Sequence, residues 1–144
     1  MADIKTIVSA LHKVPLFQSL SNRQLESLAK RFVERGYEAG KSIVTQGHGG
    51  EGFFIILSGK VDVVRERLDG AKVTVNAFGA GDFFGELALL DEGIRTASVI
   101  TLEPVKCLVL TRWDFLAILK EDADMAVEIL QEMARRFRMA LEAL

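Results

Sequence analysis

The chain has 144 residues, 49% hydrophobic and 26% charged, the balance of a soluble globular protein with material for one domain. A chain of this length hides roughly 70% of the surface it exposes when unfolded, so a core forms without disulfides or a structural metal. Eighteen Lys and Arg against twenty Asp and Glu leave a net charge of −2, which excludes an electrostatic grip on nucleic acid by the chain as a whole. The single cysteine, Cys107, has no partner for an internal disulfide; within the apolar run 105–110 it reads as a buried structural thiol in a reducing compartment. Asp3 stands early in the N-terminus, and no stretch approaches the ~18 apolar residues of a membrane span. A cytoplasmic location is expected, with no membrane partner, and after a core of about 120 residues little chain remains for a second module.

Apolar residues at Ile4, Ile7, Val8 and Leu11 recur at helical spacing, and Val14-Pro15 ends that first helix. Ser21 suits an N-cap, and Leu25, Leu28, Ala29, Phe32 and Val33 form a second helical stripe running to about Gly36. Residues 1–36 are therefore expected to be helical. Six β-rich runs follow, 42–46, 52–57, 60–67, 72–78, 97–101 and 105–110. They are separated by turns at Gly47, Gly49 and Gly50, Ser58-Gly59, Asp69-Gly70 and Gly79-Ala80-Gly81. Short strands at about ten-residue spacing predict an antiparallel roll or barrel over 37–111, not a βαβ sheet. Helix returns over 113–119 and about 122–144 within the final segment, 112–144. Acids open the last helix, arginines lie in its second half, and its broad apolar stripe needs a covering surface: its own roll or a second helix. Trp113 is expected to pack against the roll.

The chemistry lies in 84–99, which opens on Phe84-Gly85-Glu86-Leu87-Ala88-Leu89 and closes on Arg95-Thr96-Ala97 before a strand. A first helical turn leaves N–H groups without intrahelical partners, and a glycine before it admits a ligand to the backbone, so 85–88 predicts an anion cradle. Arg95 adds a permanent cation with a planar fork of donors for phosphate oxygens. A carboxylate beside a phosphate needs its own donor, which directs Glu86 to a sugar hydroxyl. Phosphate plus ribose implies a nucleotide. The Gly-Lys-Ser/Thr pattern of a triphosphate loop is absent, and one arginine suits a single negative charge, as in a cyclic phosphodiester.

These residues resemble the phosphate-binding cassette of the cyclic nucleotide-binding domains, found in kinase regulatory subunits, cyclic-nucleotide-gated channels and catabolite-activator-type transcription factors. The opening, the ending and the nine positions from Glu86 to Arg95 all match. Val14-Pro15-Leu16-Phe17, Ile55-Ile56-Leu57-Ser58-Gly59 and the closing helices extend the likeness to nearly the whole chain. The resemblance implies an α+β fold: an eight-stranded antiparallel β-roll (double-stranded β-helix or jelly roll) flanked by N-terminal helices and two C-terminal helices. It also implies a binding protein, not an enzyme, whose ligand is cAMP or cGMP and which needs no cofactor or metal. Carried over, it puts Gly85 and Glu86 on the ribose 2′-hydroxyl and Arg95 with the amides near Leu87, Ala88 and Ala97 on the cyclic phosphate. Thr96 stands where a hydroxyl reaches a guanine edge. Val63, Phe78 and Leu87 are candidates for the base pocket, with Arg136, Phe137 and Arg138 of the last helix as a lid.

Other readings carry less. A metal-dependent cupin-like oxygenase needs converging histidines, and the chain has only His12 and His48. One cysteine cannot supply an iron–sulfur cluster. The loop around Gly47 lacks the continuation of a phosphate loop and reads as a plain turn, with His48 solvated; Glu86 and Arg95 could simply pair with each other. A degenerate roll serving as a dimerisation or docking module without ligand is the alternative function. The expected function is a sensor that rearranges its C-terminal helix on binding, its partner being a second copy or an effector protein met through that helix. Met1 and the helical end favour a stand-alone receptor over a sensor piece of a longer chain.

Overall fold

Asp3 starts the first helix by accepting the Thr6 N–H on its carboxylate at 2.8 Å, and hydrogen bonding to the Thr6 side chain, with that backbone bond, holds the Asp3 carboxyl below its usual range. The structure, a computed structural model, describes residues 2–49, 52–91 and 93–144. Met1, Gly50 of the glycine loop and Glu92 of the cassette lie outside the described residues. The chain divides into a helical unit, Met1–Arg31 with Trp113–Leu144, and a roll unit, Phe32–Arg112.

In the helical unit α1 (Ile4–Leu11) buries Ile7 and Leu11, and Pro15–Phe17 forms a 3₁₀ turn with proline at its start. A capping box opens α2 (Asn22–Ala29): the Gln24 N–H donates to Ser21 Oγ at 3.2 Å and the Ser21 N–H donates to Gln24 Oε1 at 2.9 Å. The Asp122 carboxylate, accepting from the Met125 N–H, separates α3 (Arg112–Glu121) from α4 (Ala123–Glu142). Phe17 and Phe115 meet with ring centroids 6.0 Å apart, joining the 3₁₀ turn to α3. Trp113 is 66% exposed, against the expectation of a core residue. At about 100° per residue it points away from Phe115 and Ile118, which take the buried face of α3.

Among the described residues the roll has eight strands, all paired antiparallel: β1 (Val33–Tyr37), β2 (Ser42–Val44), β3 (Gly52–Ser58), β4 (Val61–Glu66), β5 (Lys72–Phe78), β6 (Phe83–Phe84), β7 (Ser98–Thr101) and β8 (Val105–Thr111). They form two four-stranded sheets in the orders β1-β8-β3-β6 and β2-β7-β4-β5. Between the sheets, Ile56, Val61, Val99 and Val105 form one buried cluster and Phe54, Cys107 and Val109 another, with Ile43, Val44 and Phe84 packed against both. The fold is thus the antiparallel β-roll expected, with helices before and after it in the chain.

One boundary differs. The helical stripe read to Gly36 ends at Ala29, and Val33–Tyr37 is a strand whose Val33 faces Val109 and whose Tyr37 faces Val105. Phe32 and Val33 fall at helical spacing, but ladder pairing with β8 decides the backbone, and Phe32 meets the Phe53 ring at 6.0 Å within the roll.

Candidate functional site

The segment after β6 is anchored by an aromatic stack. The Phe84 ring lies parallel to Phe54 at 5.0 Å and to Phe78 at 6.3 Å, each pair 9° from coplanar, so the entry to Gly85 is fixed by the roll's own core. Gly85 has φ +87°, and an added Cβ would lie 2.5 Å from Arg95 Nη1 and 2.8 Å from the Gly52 carbonyl oxygen. Both the left-handed backbone and the space require glycine there.

The turn that follows, Glu86–Leu89, is a single 3₁₀ turn, so it offers individual N–H groups and little macrodipole. The Ala88 N–H donates to the Gly85 carbonyl at 3.0 Å inside the turn, which leaves Glu86 and Leu87 as the N–H groups with no partner within it. The cradle read from the sequence is therefore narrower than residues 85–88.

Arg95 returns across the turn. Its Nη2 donates to the Gly52 carbonyl at 2.7 Å, while its Nε is buried and has no hydrogen-bond partner among the described residues. Burial pushes the guanidinium pKa below its ordinary value, and the charge of Glu86 offsets part of that. A cavity of about 340 Å³ opens here, lined by Gly85, Glu86, Leu87, Ala88, Asp91 and residues 93–96. It is within the range of small-ligand sites.

Gly85, Glu86, Leu87, Ala88, Arg95 and Thr96, all expected from the sequence, line this one cavity, and half-buried Ala97 follows at the start of the strand approach. Leu87 is 59% exposed and Ala88 buried. Val63 and Phe78 pack against the roll's inner cluster. Arg136 and Arg138 belong to the helical unit, as does Phe137; the Arg136 Nε lies 3.3 Å from the buried Glu132 carboxylate, and Phe137 is 67% exposed.

The glycine loop read as a plain turn holds the cassette instead. The Gly47 N–H donates to the Arg95 carbonyl and the Arg95 N–H to the His48 carbonyl, each at 2.9 Å, and Gly49 bridges Ile94. No local pattern announces bonds between residues 47 and 48 positions apart; the surplus of glycines was the only trace.

Among the described residues no group of three or more His, Cys, Asp or Glu is placed to hold a metal ion, and no helix is long and apolar enough to cross a membrane.

A family model described as a cyclic nucleotide-binding domain matches residues 34–122. The "Cyclic AMP receptor protein" of Thermus thermophilus is 37% identical over 126 residues, covering 88% of this chain and 58% of the relative. The "cGMP-dependent protein kinase, isozyme 1" of Drosophila melanogaster is 32% identical over 139 residues, covering 94% of this chain and 18% of the relative. The chain thus spans little more than half of the first relative's length and under a fifth of the second's. The crystal structure of the N-terminal domain of a transcriptional regulator from Streptomyces coelicolor A3(2) superposes with a TM-score of 0.84 at 30% identity, covering 94% of both chains.

Proposed function

The chain belongs to the cyclic nucleotide-binding domain family, and from that premise we propose that it binds a cyclic mononucleotide, cAMP or cGMP, in the cavity between Gly85 and Thr96. The observation that carries this is the Arg95 Nε–H: buried, charged and without a partner among the described residues, beside a cavity of suitable size. A buried unsatisfied donor on a cation is costly, and a cyclic phosphate monoanion is the partner that one guanidinium can satisfy. Arg95 and the Leu87 amide take the phosphate, with Ala88 and Ala97 as the small residues that let it approach. Glu86 and the Gly85 amide take the ribose 2′-hydroxyl. Val63 and Phe78 of the roll and Leu87 meet the base, and Thr96 reaches its edge. No catalytic role is assigned. The relatives named for cAMP and for cGMP are similar to this chain at comparable identity, so both nucleotides are carried forward.

Isothermal titration with cAMP, cGMP and cyclic di-GMP tests the reading. One-to-one binding of either mononucleotide is expected. Failure of both overturns it and leaves the roll as a ligand-free docking module.

The output is placed on α4. Val127, Leu130, Ala134, Phe137, Leu141 and Leu144 repeat at alternating three- and four-residue steps, and Leu130 and Phe137 at the middle are 68% and 67% exposed. That repeat is a coiled-coil seam, so the partner is the same helix of a second copy. Sedimentation should show a dimer that the pair Leu130→Glu and Phe137→Glu abolishes; a monomeric parent chain would refute it. A cytoplasmic location is the reading that a single buried thiol at Cys107 suits.

A further inference from the structure

Two residues stand opposite Arg95 where a regular ladder would place one. Gly47 donates to the Arg95 carbonyl and His48 accepts from the Arg95 N–H, both at 2.9 Å, and Gly47 has φ +85°. Two residues against one, with a left-handed glycine first, is a β-bulge of the glycine type, a device that re-aims a side chain. Packing does not explain the glycine, because a Cβ at Gly47 would meet nothing within 4 Å. The left-handed backbone does. Beyond the bulge Gly49 bridges Ile94, and the Gly52 carbonyl receives Arg95 Nη2 at 2.7 Å. The loop thus holds Arg95 twice, by its main chain at the bulge and by its guanidinium at Gly52.

We propose that Gly47 is a positioning residue for the bound anion: its bulge sets the main chain of Arg95 so that the guanidinium is held by Gly52 on one nitrogen and left with Nε–H for the ligand. The proposal rests on the cyclic nucleotide reading above for the identity of that anion. Hydrogen bonds weaken steeply once bent, and a shift of one residue in register sends a side chain to the other face.

The test is a matched pair in the full chain. Gly40 also has a positive φ, +76°, and also has open space at its Cβ, but it lies in the β1–β2 turn, away from the cassette segment. Gly47→Ala and Gly40→Ala therefore strain the backbone alike, and similar losses in melting temperature are expected from both. Only Gly47→Ala should weaken binding of cAMP or cGMP, by at least about tenfold, the equivalent of one charge-assisted hydrogen bond. Gly47→Asn should bind within about threefold of the parent, because asparagine tolerates the left-handed region. Equal affinity in the two alanine variants, or no rescue by asparagine, overturns the proposal. Where Gly47→Ala does not fold, the comparison passes to Gly47→Asn against Gly40→Asn; both should bind within about threefold of the parent, and a tenfold loss in Gly47→Asn overturns the proposal.

A readout without ligand separates this proposal from the function on which it rests. Amide exchange at the Arg95 N–H should quicken in Gly47→Ala and not in Gly40→Ala. If the parent chain binds neither nucleotide, the functional reading falls, and the exchange result alone decides whether Gly47 sets Arg95. Unchanged exchange overturns it.

Discussion

Replacing Arg95 by alanine separates what this arginine does for the fold from what it does for a ligand. In the structure one Nη2–H is spent on the Gly52 carbonyl, while Nε–H is buried and unpaired. Nε and Nη1 are then available to a phosphate, and two charge-assisted bonds at about 1.5–3 kcal/mol each correspond to roughly 10²- to 10⁴-fold in affinity. Nε–H is already stripped of water, so the ligand bears no new desolvation cost at that donor. Without ligand, the variant loses the bond to Gly52 but also removes an unsatisfied buried donor, each about 1–3 kcal/mol and opposite in sign. The two differ by at most about 2 kcal/mol, so the unliganded melting temperature should move by no more than about 7 °C, while the ligand-induced rise disappears. Titration calorimetry gives the first quantity and a thermal melt with and without cAMP or cGMP the second. Affinity within threefold of the parent would refute the role of Arg95; intact affinity with a collapsed melting temperature would make it a structural residue only.

Gly85→Ala places a methyl group 2.5 Å from Arg95 Nη1 at φ +87°, so it should cost both stability, by about 1–2 kcal/mol in a denaturant titration, and affinity. Glu86→Ala should weaken binding by about ten- to a hundredfold, and a 2′-deoxy cyclic nucleotide should weaken the parent equally while costing the variant nothing further; additive losses would place the carboxylate elsewhere. Burial pushes the Cys107 thiol up to about 11, and its unfolded counterpart ionises near 9. The thiol is protonated in both states at neutral pH, and above pH 9 only the unfolded chain gains by ionising. Stability should therefore decline between pH 9 and about 11, less so in Cys107→Ala, and thiol reagents at pH 8 should react only with unfolded chain.

Six of the eight strands were legible because their alternation and glycine turns are local properties of the sequence. β6, two residues long, carries no period at all, and β1 was hidden because Val33 also completes a helical spacing begun at Leu25. There the pairing with β8, more than sixty residues away, overrode the local pattern. The cassette was legible for a different reason: Gly85, Glu86 and Arg95 are chemically specialised and lie within eleven residues of one another. What aims Arg95 was not. Gly47 acts through main-chain bonds and Gly52 through its carbonyl, and neither leaves a side-chain signature to read. The same limit applies to α4, whose apolar stripe was evident while the choice between covering surfaces was not. The proposal of a second helix rests on the exposure of Leu130 and Phe137.

The proposed seam also bounds how a ligand in the roll could act through α4. If binding tightens self-association by some factor, association must tighten ligand binding by the same factor, and such couplings usually amount to about 1–3 kcal/mol. A coupling of that size shifts an equilibrium only where the dimer is already close to half-formed; a very tight seam would stay closed with or without nucleotide. The composition of the seam favours the weaker regime. Ala134 sits at its centre and buries almost nothing, so the seam lacks a large apolar side chain at its middle. A seam adequate to form and too weak to saturate is the kind that a ligand of ordinary affinity can control.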